Sequence, residues 1–129
     1  MDNCNILYVD DEIENLTSFK FLFKRSFQII LANSATEGLQ TLEEEDVQIV
    51  ISDQRMPNMT GIEFLEKVSS DHPEIVRILL TGYTDTETTT EALTQGKIDK
   101  CMSKPFELDE MKIALLEALE LYKQRNLST

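Results

Sequence analysis

Val47-Gln48-Ile49-Val50-Ile51-Ser52-Asp53 is the stretch on which the reading of this chain turns. Residues 47 to 51 are nearly all β-branched, without the polar alternation of a strand that has one face in water, and the run halts at a serine and an acid. Such a run suits a strand covered on both faces, as parallel sheets are. Ile75 to Leu80 has the same character and stops at Thr81-Gly82, and Ile6 to Val9 stops at Asp10-Asp11. Phe27 to Ala32 and the weaker Ile98 to Ser103 complete a set of five predicted strands.

Segments of helical period lie between these runs. Ile13, Leu16, Phe19 and Phe23 recur at spacings of three and four, and Ile62, Leu65 and Val68 mark a helix over Gly61 to Val68. Ser34 with Glu37, and Thr84 with Glu87, have the spacing of capping boxes, and Gly96 suits the C-terminal cap of a helix over Thr84 to Gln95. Leu108 to Tyr122 is the strongest helix, with Leu108, Met111, Leu115, Leu119 and Tyr122 expected in one core stripe. Five strand–helix repeats with short connections imply an α/β fold, a parallel sheet with helices on both faces. No linker, repeat or low-complexity tract interrupts residues 1–129, so one domain is expected.

Composition narrows the function. A chain of 129 residues, 41% apolar and 28% charged, should bury roughly two-thirds of its unfolded surface without disulfides or a structural metal. Cys4 and Cys101 are too few for a zinc site or a disulfide framework, and both lie in apolar surroundings. The formal net charge of -12 argues against direct binding to nucleic acid, which needs clustered Lys and Arg. No signal-peptide layout or membrane-spanning run is present, so a cytoplasmic address is expected.

The acids that carry information are those at strand ends. In an open parallel sheet, ligands bind beyond the carboxyl ends of the strands. Asp10 and Asp11 follow the first strand, Asp53 the third, Thr81 the fourth and Lys104 the fifth. Three converging carboxylates repel one another unless something positive compensates. Mg²⁺ fits an all-oxygen site, Lys104 adds a second positive charge, and Thr81 adds a hydroxyl donor. A phosphoryl group on one carboxylate would give every part a role.

Val9-Asp10-Asp11-Glu12, Ser52-Asp53-Gln54-Arg55-Met56-Pro57 with Gly61, Leu80-Thr81-Gly82-Tyr83 and Ser103-Lys104-Pro105-Phe106 together resemble the receiver domains of two-component response regulators. The resemblance covers essentially the whole chain. It implies a flavodoxin-like or CheY-like fold with strand order 2-1-3-4-5, an order taken from the resemblance and not from the residues. It implies that Asp53 accepts a phosphoryl group from the phosphohistidine of a sensor histidine kinase or phosphotransfer protein. Asp11, Asp53 and the main-chain carbonyl of Arg55 would ligate Mg²⁺, with Asp10 helping through water. Thr81 would be the switch hydroxyl and Lys104 the phosphoryl-binding lysine, with a cis bond to Pro105. Arg55 and Tyr83 hold positions that tune dephosphorylation. Cys101 departs from the pattern, because it stands where the family has a rotating Tyr or Phe.

Other chemistries fit less well. A phosphatase of the haloacid-dehalogenase type needs an acid two residues after the nucleophile, where this chain has Arg55. A flavin-binding protein of the same fold needs a Ser/Thr/Gly-rich phosphate loop where Asp10 and Asp11 stand. His72 precedes Pro73, which disfavours a helical phosphodonor histidine and suggests an exposed loop residue. The protein is therefore read as a signalling domain and not an enzyme, apart from self-catalysed phosphotransfer and dephosphorylation. The wording of the motifs is similar to receivers attached to cyclic-dinucleotide phosphodiesterases or transcriptional activators. A C-terminal effector beyond residue 129 and a weak homodimer strengthened by activation are further expectations.

Overall fold

A computed structural model describes residues 4–82 and 86–127. Its strands are β1 (Asn5–Val9), β2 (Gln28–Ala32), β3 (Ile49–Asp53), β4 (Val76–Thr81) and β5 (Lys100–Ser103). The helices are α1 (Ile13–Phe23), α2 (Ala35–Glu44), α3 (Gly61–Asp71), α4 (Thr86–Thr94) and α5 (Leu108–Leu127). All strand pairs are parallel and their order is β2-β1-β3-β4-β5, as expected. Thr84 and Tyr83 lie outside the described residues, so the cap foreseen at Thr84 does too.

Alternate strand residues serve opposite faces of the sheet. Ile6, Tyr8, Ile49, Ile51, Ile78 and Leu80 pack with Leu16, Phe19, Phe23, Met111 and Leu115 of α1 and α5. Leu7, Val9, Val50 and Leu79 pack on the other side with Phe64, Leu65 and Val68 of α3, Leu42 of α2 and Ala92 of α4. Cys4 is buried in the first core and Cys101 is packed against the second, the structural role expected of both. Burial pushes the Cys101 thiol up, against the pull of a hydrogen bond with Thr89.

Several stripe residues fall outside the core. Ile13 is 71% exposed and Leu108 39%. Each is the first residue of its helix, at the edge of the sheet's reach, so the apolar period continues past the surface it covers. In α5, Ala114 and Ala118 join Met111 and Leu115 inside, while Leu119 and Tyr122 are only half-buried. His72 is not the exposed loop residue expected: it is half-buried, its backbone N–H caps α3 by donating to the Val68 carbonyl, and its ring sits 3.4 Å from Glu43.

Caps follow local geometry with one slip. Ser34 accepts from the Glu37 N–H, but the Glu37 carboxylate reaches back to the Asn33 N–H, so the reciprocal half of the expected box is displaced by one residue. Among the described residues the complete capping box is on α3, between Thr60 and Glu63. Thr60→Ala should cost about 1 kcal/mol, measurable as a lower urea midpoint with an unchanged slope. An unchanged midpoint would mean that the cap is idle. Gly96 has φ +74°, the left-handed geometry expected where α4 ends.

The apolar runs conceal two buried polar residues. Gln48 accepts the Asn5 N–H, tying β3's approach to β1. Arg77 donates to the carbonyls of Ile75, Gly96 and Lys97 and lies 3.8 Å from Asp99, which also pairs with Arg125 of α5. This cluster lies at the amino-terminal end of β4 and β5, opposite the acids, and leaves the carboxyl edge clear.

Candidate functional site

Register brings the strand-end residues together. Val9 lies opposite Ser52, so Asp10 is level with Asp53. Asp53 is the last residue of β3 and lies opposite Leu80, which places Thr81 one step further along β4. Thr81 in turn faces Ser103, so Lys104 comes next on the same edge. Asp10, Asp53 and Thr81 are buried, Lys104 is half-buried, and Asp11 and Arg55 are exposed at the mouth. A cleft of about 560 Å³ opens there, lined by Asp11, Arg55, Thr81 and Thr89 among others.

Lys104 joins the two buried acids. Its Nζ is 3.0 Å from Asp53 Oδ1 and 3.3 Å from Asp10 Oδ2. The peptide bond from Lys104 to Pro105 is cis, as the sequence reading expected. Asp10, with no exposed surface, is further satisfied by the Tyr8 hydroxyl at 3.2 Å, the Asn15 amide at 3.0 Å and the Glu12 N–H at 3.0 Å. A buried carboxylate needs such donors to offset the loss of water.

Electrostatics separate the groups. Burial raises the pKa of Asp53; Lys104 pulls it down through its hydrogen bond and charge; Asp10 and Asp11 push it up again, and the net shift is upward. Burial works to lower Lys104, but Asp53 and Asp10 outweigh it and the ammonium is held above its ordinary range. Burial, then the charge of Asp10, keeps the Tyr8 hydroxyl protonated far above the usual tyrosine range. Burial and the neighbouring acids thus disfavour the charge on Asp53.

The donor set suits a hard divalent cation. Carboxylate oxygens of Asp10, Asp11 and Glu12 lie within 4.8 Å of one another, and every side chain offered is an oxygen ligand. The sequence reading missed Tyr8, Asn15 and Glu12. Tyr8 and Glu12 flank the acids within two positions, a usable signal, whereas Asn15 reaches Asp10 from the first turn of α1. No helix among the described residues is long and apolar enough to cross a membrane.

Comparison with known proteins places the chain in a family. The model described as the response regulator receiver domain matches residues 6–116. The chain is 31% identical over 118 residues to the hydrogenase transcriptional regulatory protein HoxA of Bradyrhizobium diazoefficiens, covering 92% of this chain and 24% of that protein. It is 34% identical over 119 residues to the transcriptional regulatory protein ZraR of Escherichia coli K12, covering 92% and 27% respectively. The chain thus spans about a quarter of the length of these curated relatives. Among solved structures, the signal receiver domain of an HD domain-containing protein from Pseudomonas fluorescens Pf-5 superposes with a TM-score of 0.90 at 32% identity, covering 95% of this chain and 99% of that one. A CheY-like receiver domain protein from Methanospirillum hungatei JF-1 superposes with a TM-score of 0.89 at 28% identity, covering 95% and 98%. With strand order, strand-end acids and family match in agreement, the chain belongs to the response regulator receiver domains of two-component signal transduction.

Proposed function

We propose that residues 1–129 form a single receiver domain in which Asp53 is the phosphoacceptor. The observation that carries this reading is the Lys104 ammonium within 3.3 Å of both Asp53 and Asp10, groups 51 and 94 residues away in sequence. An Asp53 carboxylate oxygen attacks the phosphorus of a phosphohistidine, the phosphorus–nitrogen bond breaks, and the imidazole departs with that electron pair. Lys104, already 3.0 Å from Asp53, is placed to neutralise the incoming phosphoryl oxygens, and the Thr81 hydroxyl to donate to one of them. Asp10, Asp11, Asp53 and the Arg55 main-chain carbonyl would hold Mg²⁺, which supplies charge neutralisation at the phosphoryl group when bound. The raised pKa of Asp53 fits a group made tolerable by the arrival of positive charge.

The donor would be a sensor histidine kinase or a phosphotransfer protein, in the cytoplasm. The greater lengths of HoxA and ZraR support a further segment in the same protein, which we place beyond residue 129 as an effector. Transmission would begin at Thr81 and pass to α4, whose Thr-rich sequence is a mediocre helix former. Phosphorylated protein would associate as a weak homodimer.

Incubation with a small acyl phosphate and Mg²⁺ is expected to add one phosphoryl mass to the protein, and none to Asp53→Asn. Undiminished labelling of that variant would move the acceptor elsewhere and overturn the assignment.

A further inference from the structure

After that of the N-cap residue, the first three N–H groups of a helix have no carbonyl within the helix to receive them. In α3 the third, from Glu63, is taken by Thr60 Oγ1 at 3.1 Å. The other two go to one residue outside the helix. The Gly61 N–H donates to the Gln54 carbonyl at 3.0 Å, and the Ile62 N–H donates to the Gln54 side-chain Oε1 at 2.9 Å. Gln54 also donates its own N–H to the Leu80 carbonyl at 3.0 Å, which extends the pairing of β3 with β4 by one residue.

Gln54 therefore closes the base of the loop over residues 55–60, and it does so beside the acceptor Asp53. The peptide plane between Gln54 and Arg55 is held through the Gln54 carbonyl, so the Arg55 carbonyl is only one pair of backbone dihedrals from a fixed plane. Further along, Asn58 adopts φ 72°, and the Met59 N–H closes a tight turn onto Pro57. Nothing else among the described residues is shown joining the side chain of Gln54 to α3, and its half-buried position gives that bond partial shelter from water.

We infer that Gln54 is a positioning residue for cation binding: its side-chain acceptor pins the start of α3 and so holds the Arg55 carbonyl ready for Mg²⁺. The inference rests on the site proposed above. A loop ordered before binding spares the cation the conformational entropy of ordering it, and the loss of one hydrogen bond of about 1 kcal/mol corresponds to a change of about fivefold in affinity.

Titration calorimetry with Mg²⁺ alone tests this on the wild type, Asp11→Asn, Gln54→Met and Gln54→Glu. Methionine keeps the length and loses the acceptor, whereas glutamate keeps an acceptor, favoured at a helix N-terminus. Gln54→Met should bind Mg²⁺ about five- to tenfold more weakly, and Gln54→Glu at least as tightly as wild type. In the metal-free proteins, hydrogen exchange at the Ile62 amide should quicken in Gln54→Met and stay slow in Gln54→Glu. A role confined to stability would lower the melting temperature of Gln54→Met and leave its Mg²⁺ affinity alone, and that result overturns the inference. Equal weakening by methionine and glutamate overturns it as well. If Asp11→Asn binds Mg²⁺ as wild type does, the site reading itself fails, separately from the role of Gln54. Gln54→Ala, read in the same way, replaces the methionine variant if that one does not fold.

Discussion

Gly61→Ala is expected to lower the stability of this protein by about 2–3 kcal/mol, near the upper end for overpacking. A Cβ at position 61 would lie 2.3 Å from the Asp53 carbonyl oxygen and 2.8 Å from Leu79 Cδ1. A flexible side chain could move aside, but the Asp53 oxygen is backbone at the end of a central strand. The opposing gain, a less flexible unfolded chain, is worth only about 0.4–1 kcal/mol and does not offset the clash. For a chain of this length, the melting temperature should fall by about 6–15 °C. Gly82→Ala is the control, since nothing lies within 4 Å of a Cβ there. Because the clash is with Asp53 itself, the surviving folded Gly61→Ala protein should also label more slowly with acyl phosphate. Equal melting of the two alanine variants would mean that the close approach is not rigid.

Asp53→Asn should melt higher than wild type in the absence of metal. Asp53 is buried beside Asp10 and Asp11, and its pKa stays raised even after the help of Lys104. An acid whose folded pKa lies above its unfolded value contributes stability below the unfolded value, near 3.8, and loses that contribution as the pH rises through the folded value. At neutral pH the charged carboxylate is therefore a liability, and asparagine removes it while still accepting from Lys104. The advantage of the variant should shrink as the pH falls through the raised pKa toward 3.8. Mg²⁺ should narrow the gap. With a dissociation constant on the order of 1 mM, ~10 mM metal stabilises the wild type by roughly 1.4 kcal/mol, and most of this should vanish in Asp53→Asn. Asp46→Asn, at an exposed position before β3, should keep the whole metal response. Equal metal shifts in these proteins would mean that the carboxylates do not form one site.

The sequence by itself determined the alternation of strands and helices, because unbroken β-branched runs and a period of 3.6 are both written in neighbouring residues. It also determined which chemical groups stand at the strand ends, since a strand followed by Asp10-Asp11, Asp53, Thr81 or Lys104 can be recognised without knowing its neighbours. The strand order came from resemblance, and the periodicity alone left it open. Only the tertiary structure decided where each pattern stopped mattering. Ile13 and Leu108 keep the helical period yet face water, because burial depends on what lies opposite. Arg77 sits inside an apolar run because the carbonyls of Gly96 and Lys97, and Asp99, arrive from elsewhere in the chain to receive it. Asp53 was legible as an acid, but its raised pKa was not, because that shift is the balance of burial against Lys104, a residue 51 positions away. Gln54 shows the same division. Its side chain could have met any donor, and it meets Ile62 because β3 and α3 converge on one edge of the sheet, where a helix start has N–H groups to satisfy.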